Sequence, residues 1–169
     1  MPLIEPGRKA PAFKLADQNN EIFELGDHED HAVVLFFYPK DCTSGCTREA
    51  QDFSSMRSKF RTAGAEVIGV SILDAKSKAK FVKQADLKLR MLADEHTNAD
   101  GKPDPKIAQK YGVWVEKSMY GRKYMGLQRT TYLIGPGRKV IQRWDKVKVP
   151  NHAEDVLGSV KDLGLAPLA

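Results

Sequence analysis

Residues 38–50 read Y-P-K-D-C-T-S-G-C-T-R-E-A and hold both cysteines of the chain, Cys42 and Cys46. The run that leads into them, Ala32 to Tyr38 (A-V-V-L-F-F-Y), is apolar without alternation. That pattern predicts a strand covered on both faces in the middle of a sheet. Turn-forming residues follow, and a helical pattern begins at about Cys46. Ala50, Phe53, Met56, Phe60 and Ala63 recur three or four apart, with Gly64 as a C-terminal cap. One thiol therefore stands where a helix starts. The unpaired N–H groups and partial positive charge of such an end favour a thiolate over a thiol.

Working outward, Glu66 to Leu73 reads as a second buried strand, and Asp74 as the cap of a helix running to about Ala85. Strand, helix, strand in this order predicts a crossover with parallel strands. Leu89 to Leu92 is a short strand. A polar loop from Asp94 to Pro105 follows, then a short helix from Lys106 to Tyr111 stopped by Gly112. Thr130 to Ile134 and Lys139 to Trp144 are strands joined through Gly135-Pro136-Gly137-Arg138, an antiparallel hairpin signal. Asn151 caps a last helix to about Leu163, whose apolar face is Ala153, Val156, Leu157, Val160 and Leu163. Before the central strand, Pro2 to Asp17 reads as an extended arm. Glu21 to Leu25 reads as a strand after a turn at Gln18 to Asn20, forming an N-terminal hairpin. The order predicts an α/β, thioredoxin-like fold: a central mixed β-sheet flanked by helices, with an N-terminal β extension, as one domain over residues 1–169. The cysteine stretch falls at the carboxyl end of the parallel strands, where α/β sheets place their sites.

Composition narrows the function. The chain has 169 residues, 41% hydrophobic and 29% charged, as in proteins that fold on an apolar core. No run approaches the roughly 20 apolar residues of a membrane span, and Met1 to Arg8 lacks the apolar core of a secretory signal. A cytoplasmic location is expected. The net charge of +5 raises nucleic acid as a partner. However, Lys76, Lys78, Lys80 and Lys83 lie at mixed spacings around one helix, opposite Phe81, Val82 and Ala85, and read as a solvated face. Two cysteines four apart point to redox or metal chemistry before a structural disulfide. The histidines, His28, His31, His96 and His152, are scattered without metal-ligand spacing and read as surface or loop residues, so no metal and no cofactor is expected.

At residues 39–46 the chain resembles the peroxiredoxins: Pro39, three residues, Thr43, two residues, Cys46. The resemblance is closest to the bacterioferritin comigratory protein, or peroxiredoxin Q, subgroup, with Ser44 in place of its usual proline. It extends through Gly112-Val113-Trp114, Glu116-Lys117-Ser118, Gly121, Tyr124, Gly126, Arg129-Thr130-Thr131 and Leu133-Ile134 to Asn151-His152, and so covers nearly the whole chain. It implies that Cys46 is the peroxidatic cysteine, attacking a hydroperoxide and becoming a sulfenic acid. Thr43 and the backbone N–H groups near Gly45 and Cys46 would contact the peroxide. Arg129 would donate to thiolate and peroxide, Glu49 would position the arginine, and Pro39 would shape and shield the pocket. Read without the resemblance, Thr43 is a helix N-cap, Glu49 a first-turn carboxylate, Pro39 a strand end and Arg129 a solvated base. Trp114 reads as core or pocket wall.

Ionisation alone does not make such a catalyst. Lowering a cysteine pKa from about 8.5 to about 6 raises the thiolate fraction at neutral pH by about thirtyfold, whereas enzymes accelerate reactions by about a million or more. The rest must come from donors aimed at the oxygen that departs as the O–O bond breaks. The sulfenic acid must then be reduced. Many relatives in the resembled family carry a resolving cysteine five residues after the peroxidatic one, where this chain has Gln51, and no cysteine occurs from Val67 to Ala169. The candidates are Cys42, after local unwinding, and an external thiol: thioredoxin, glutaredoxin or glutathione. A monomer or weak dimer is expected. Two other readings use the same thiols: a copper-binding protein of the same fold held by Cys42 and Cys46, and a redox relay that oxidises a partner protein.

Overall fold

The computed structural model describes Pro2 to Leu168. Strand β3 (Ala32–Phe37) is buried at every residue and forms the centre of a sheet of seven strands in the order β2-β1-β5-β4-β3-β8-β9. It pairs in parallel with β4 (Ala65–Ser71), Val34 opposite Val67, and β4 pairs in parallel with β5 (Arg90–Ala93). On its other side β3 runs antiparallel to β8 (Thr130–Ile134), which pairs with β9 (Val140–Trp144). The sheet is mixed, and the fold is thioredoxin-like. The N-terminal hairpin of β1 (Lys14–Ala16) and β2 (Ile22–Glu24) extends the edge next to β5. Its turn is held by Asp17, whose Oδ1 accepts from the amides of Asn19 and Glu21.

Alternate side chains of β3 feed two apolar clusters, one on each face. Ala32, Val34 and Phe36 join the cluster that contains Phe53, Phe60, Phe81, Val156 and Cys46. Val33, Leu35 and Phe37 join Phe13, Phe23, Ile68, Tyr111 and Tyr132. Two buried faces explain the unbroken apolar run, because neither side of this strand meets water.

Several sequence expectations change. The helix after the cysteines begins at Ser44 and breaks at Met56, giving α1 (Ser44–Ser55) and α2 (Arg57–Thr62) in place of one rod. Met56 has φ −103° and ψ 7°, and its N–H bonds back to the Phe53 carbonyl at 3.1 Å. No glycine or proline marks this break in the sequence. Helix α3 (Ala75–Ala85) is capped by Asp74, whose Oδ1 accepts from the Ser77 amide. Lys78 of α3 is not on a solvated face. It lies three residues after Ala75 and three before Phe81, inside the apolar stripe, and is fully buried. Helix α4 (Lys106–Lys110) receives its N-terminal acceptor from afar, the buried Asp94 carboxylate taking the amides of Ile107 and Ala108. Asn151 stands at the start of α5 (His152–Lys161) in a left-handed conformation and makes no side-chain cap bond. His152 is buried in α5 and so leaves the surface or loop role expected of it, while His28 and His31 stay in the connection between β2 and β3 but are half-buried there beside Glu66.

One element has no counterpart in the sequence reading. Residues 114–127 form a separate two-stranded ribbon, β6 (Trp114–Met119) and β7 (Arg122–Leu127), turning at Tyr120 and Gly121. Both turn residues have positive φ, 51° and 78°, as a two-residue type I′ hairpin requires. Most of the ribbon is exposed, so apolar alternation never developed there to announce strands.

Candidate active site

The loop from β3 to α1 is tied down by a buried carboxylate. Asp41 Oδ1 accepts from Tyr38 Oη at 2.5 Å, and Oδ2 accepts from Ser77 Oγ at 2.7 Å and Lys78 Nζ at 2.8 Å. Lys78 spends a further donor on the Leu73 carbonyl. Burial pushes the Lys78 ammonium below its ordinary pKa while Asp41 pulls it back up, and burial pushes the Tyr38 phenol well above its own. Such a pair is costly to desolvate but much costlier to break. It fixes the strand end and the first turn of α3 to the loop that carries Cys42 and leads into Cys46.

Cys42 follows directly, exposed and with φ 63°, an uncommon conformation for a residue with a Cβ. Thr43 is the N-cap residue of α1, yet its side chain makes no cap bond; Oγ1 donates to the Lys40 carbonyl at 3.0 Å. The first intrahelical bond runs from the Thr47 amide to the Thr43 carbonyl. The amides of Ser44, Gly45 and Cys46 therefore precede the helical ladder, as the first N–H groups of a helix do. Cys46 lies in this first turn and is 1% exposed, a free thiol set into the core. Pro39 is half-buried, and its carbonyl accepts from Ser71 Oγ.

Arg129 reaches this thiol from the residue before β8. Its Nη2 donates to Cys46 Sγ at 3.3 Å, and its Nη1 donates to Glu49 Oε1 at 2.6 Å. The planar fork engages sulfur and carboxylate together, which a lysine would not do. Gly45 lies directly against the guanidinium, where a Cβ would meet Arg129 Nη2 at 3.4 Å, an ordinary van der Waals contact. Glu49 is 1% exposed, and its Oε2 has no hydrogen-bond partner. Burial raises its carboxyl to about 7, although Arg129 acts in the opposite direction. Behind the pair, Thr131 Oγ1 and His152 Nε2 lie 2.8 Å apart, and burial holds the His152 imidazole down at about 4. Of the sequence candidates, Cys46, Arg129 and Glu49 form one bonded set. Thr43 and Pro39 line the loop beside it, and Cys42 stands outside on the surface.

Two residues of this neighbourhood had been given no role. Lys117 of β6 donates to the Leu127 carbonyl at 2.8 Å, and its ammonium is lowered by burial and by the charge of Arg129, with Cys46 opposing. Its signal lay in the ribbon that periodicity did not reveal. Asp41, in the middle of the cysteine stretch, was legible as a possible anchor only once Lys78 was known to be buried.

A buried thiol at the start of a helix, on a thioredoxin-like sheet and under an arginine held by a carboxylate, defines a thiol-based redox enzyme. The AhpC/TSA family model matches residues 6–143. Peroxiredoxin Bcp of Bacillus subtilis is 37% identical over 160 residues, covering 95% of this chain and 97% of that protein. Among solved structures, the bacterioferritin comigratory protein of Xanthomonas campestris, described for its alkyl peroxide reduction activity, superposes with a TM-score of 0.82 at 32% identity, covering 96% of this chain and 98% of that one. A cysteine-to-serine mutant of Xylella fastidiosa PrxQ superposes with a TM-score of 0.85 at 30% identity, again covering 96% and 98%. The chain belongs to the AhpC/TSA family, in its Bcp/peroxiredoxin Q branch. It is a thiol-dependent peroxidase. The copper-binding reading is not favoured.

Proposed function

We propose that the whole chain, 1–169, acts as one domain in which Cys46 is the peroxidatic cysteine, reducing hydrogen peroxide and organic hydroperoxides. The observation that carries the reading is the Arg129 guanidinium donating to Cys46 Sγ while Glu49 holds its other nitrogen. The thiolate attacks the terminal peroxide oxygen, the S–O bond forms as the O–O bond breaks, and the departing oxygen leaves as water or an alcohol after taking the peroxide proton. The product at Cys46 is a sulfenate. Thr43, already donating to Lys40, keeps its lone pairs to accept from the peroxide O–H. Arg129 and the first-turn amides of α1 face the charge that grows on the oxygens, where one preformed donor is worth about a hundredfold or more in rate. Pro39 walls the pocket.

The cycle closes by thiol attack on the sulfenic acid with loss of water, and a second thiol then releases Cys46. The reductant is thioredoxin, glutaredoxin or glutathione, and a reducing compartment such as the cytoplasm supplies it. Direct attack by the external thiol is the primary route, with the protein working as a monomer or weak dimer. One observation favours Cys42 as an intermediate carrier: it is the exposed thiol, while Cys46 is buried in the first helical turn. Peroxide turnover is to be measured for wild type, Cys46→Ser and Cys42→Ser with thioredoxin and with glutathione. Full activity in Cys46→Ser overturns the assignment. Non-reducing mass spectrometry after one equivalent of peroxide separates the routes, since a monomer lighter by two hydrogens requires the Cys42 disulfide and a persistent sulfenic acid in wild type excludes it.

A further inference from the structure

At the opposite end of the strands from Cys46, three side chains from separate parts of the chain converge. His28 ends a 3-10 turn (Leu25–His28), His31 directly precedes β3, and Glu66 is the second residue of β4. Their atoms form a small triangle: His28 Nδ1 to His31 Nε2 is 3.3 Å, His28 Nδ1 to Glu66 Oε2 is 3.4 Å, and His31 Nε2 to Glu66 Oε2 is 3.8 Å. The edge of a tetrahedron of ligands about 2.0–2.1 Å from a zinc ion is about 3.3–3.4 Å. Two edges already have that length, and a small rotation of the Glu66 carboxylate supplies the third.

The protonation pattern points the same way. His31 Nδ1 lies 2.6 Å from Asp30 Oδ1, and since a carboxylate only accepts, the neutral imidazole carries its proton on Nδ1 and turns the lone pair of Nε2 to the triangle. Glu66 Oε2 is likewise an acceptor. His28 is held by its ring stacked on Phe23 at 4.5 Å and 15°, which aims Nδ1 at the same point. Acceptors from two or three sides meet at one locus, where a single proton on His28 Nδ1 would be shared between Glu66 and His31 while a cation engages all three. A carboxylate, a histidine and the locus in line also reproduce the outer-shell arrangement that orients metal-binding imidazoles. The neighbouring guanidinium of Arg90 is engaged by Asp17 at 3.0 Å, which offsets its repulsion of a cation.

We propose that His28, His31 and Glu66 form a binding site for a divalent transition metal, with Zn2+ the best match to two imidazoles and one carboxylate. The three ligands are 14–21% exposed at their side chains, so water completes the fourth position. Bound there, the ion joins the segment between β2 and β3 to β4 and acts as a structural clasp. Glu66 shares the sheet face of Ile68 and Val70, whereas Cys46 packs on the other, so the peroxidase reaction does not run through this site.

The test titrates tag-free full-length protein carrying Cys42→Ser and Cys46→Ser with Zn2+ against a chromophoric chelator, so that no thiol competes. One equivalent is expected to bind and to raise the thermal midpoint by roughly 5 °C at saturating metal. Glu66→Gln, which keeps shape and removes charge, and His31→Ala are each expected to weaken binding by at least about tenfold, and Asp30→Asn by up to about tenfold. Absence of stoichiometric binding overturns the proposal, because the cluster is then held by a proton on His28 alone. Binding unchanged in both Glu66→Gln and His31→Ala overturns it as well, by placing the metal elsewhere. The metal-free thermal midpoints of the variants show whether either has lost its fold, and Glu66→Gln decides the matter if His31→Ala has.

Discussion

Replacing Glu49 with glutamine separates the stability of this site from its chemistry. Burial raises the Glu49 carboxyl to about 7 in the folded protein, from 4.5 for an exposed glutamate, because burial penalises its charge more than Arg129 rewards it. The folded state thus holds this proton more tightly than the unfolded chain does. The resulting stabilisation is fully present below pH 4.5 and is lost as pH rises through 7. The whole shift corresponds to about 3.4 kcal/mol at 1.36 kcal/mol per unit, and about 2.5 kcal/mol of it falls between pH 5 and pH 8. Glutamine cannot ionise, so the stability of Glu49→Gln minus that of wild type should rise by about 2.5 kcal/mol over that interval. Urea unfolding of both proteins under reducing conditions, at half-unit steps of pH, measures the difference directly; all other groups are common to both. Activity should move the other way. A neutral amide replaces the charge-assisted acceptor that Arg129 Nη1 uses at 2.6 Å, a loss of about 1–1.5 kcal/mol and roughly tenfold in kcat/KM for peroxide. A flat stability difference across pH would refute the burial-raised carboxyl, and a glutamine variant as active as wild type would refute the account of Glu49 as a buried strut for Arg129.

His152 should show the opposite slope. Its imidazole is held at about 4 by burial, so its contribution is lost as pH falls from 6.5 toward 4, by up to about 3.4 kcal/mol, and His152→Gln should be less acid-sensitive than wild type in the same unfolding series. Arg129→Lys cannot bond Glu49 and Cys46 Sγ together as the fork does, and kcat/KM should fall by about a hundredfold with far-UV circular dichroism unchanged; retained activity would remove Arg129 from the mechanism. Lys78→Met leaves Asp41 buried without its cation and should cost about 3–5 kcal/mol, whereas Asp41→Asn in the Lys78→Met background should recover part of that loss. Additive single-variant costs would show that the two do not act as a pair.

Local pattern was enough for much of this protein. A short unbroken apolar run bounded by turn residues suits a strand covered twice, and a three-four apolar spacing suits one face of a helix, so β3, β4, α3 and α5 were readable from residues a few places apart. Spacing also placed Cys46 at a helix start, and the family resemblance named Arg129, Glu49, Thr43 and Pro39 beside it. What spacing cannot report is which side of an element a distant residue approaches. Lys78 lay in the apolar stripe of α3, but its burial became intelligible only with Asp41, 37 residues earlier in the chain, set against it. The ribbon of β6 and β7 stayed hidden because strands with little buried surface carry no alternation to read.

The sequence by itself determined the thiol at a helix start, the parallel crossover that follows it and the late antiparallel hairpin, because each depends on short-range periodicity and on chemistry carried by single residues. Only the tertiary structure decided that Arg129, 83 residues from Cys46, donates to its sulfur while Glu49 steadies the guanidinium. It likewise brought His28, His31 and Glu66 to one point, where scattered positions had implied nothing. Both sets depend on side chains from separate elements meeting across a folded sheet. Such meetings follow from strand register and packing, which no local window contains.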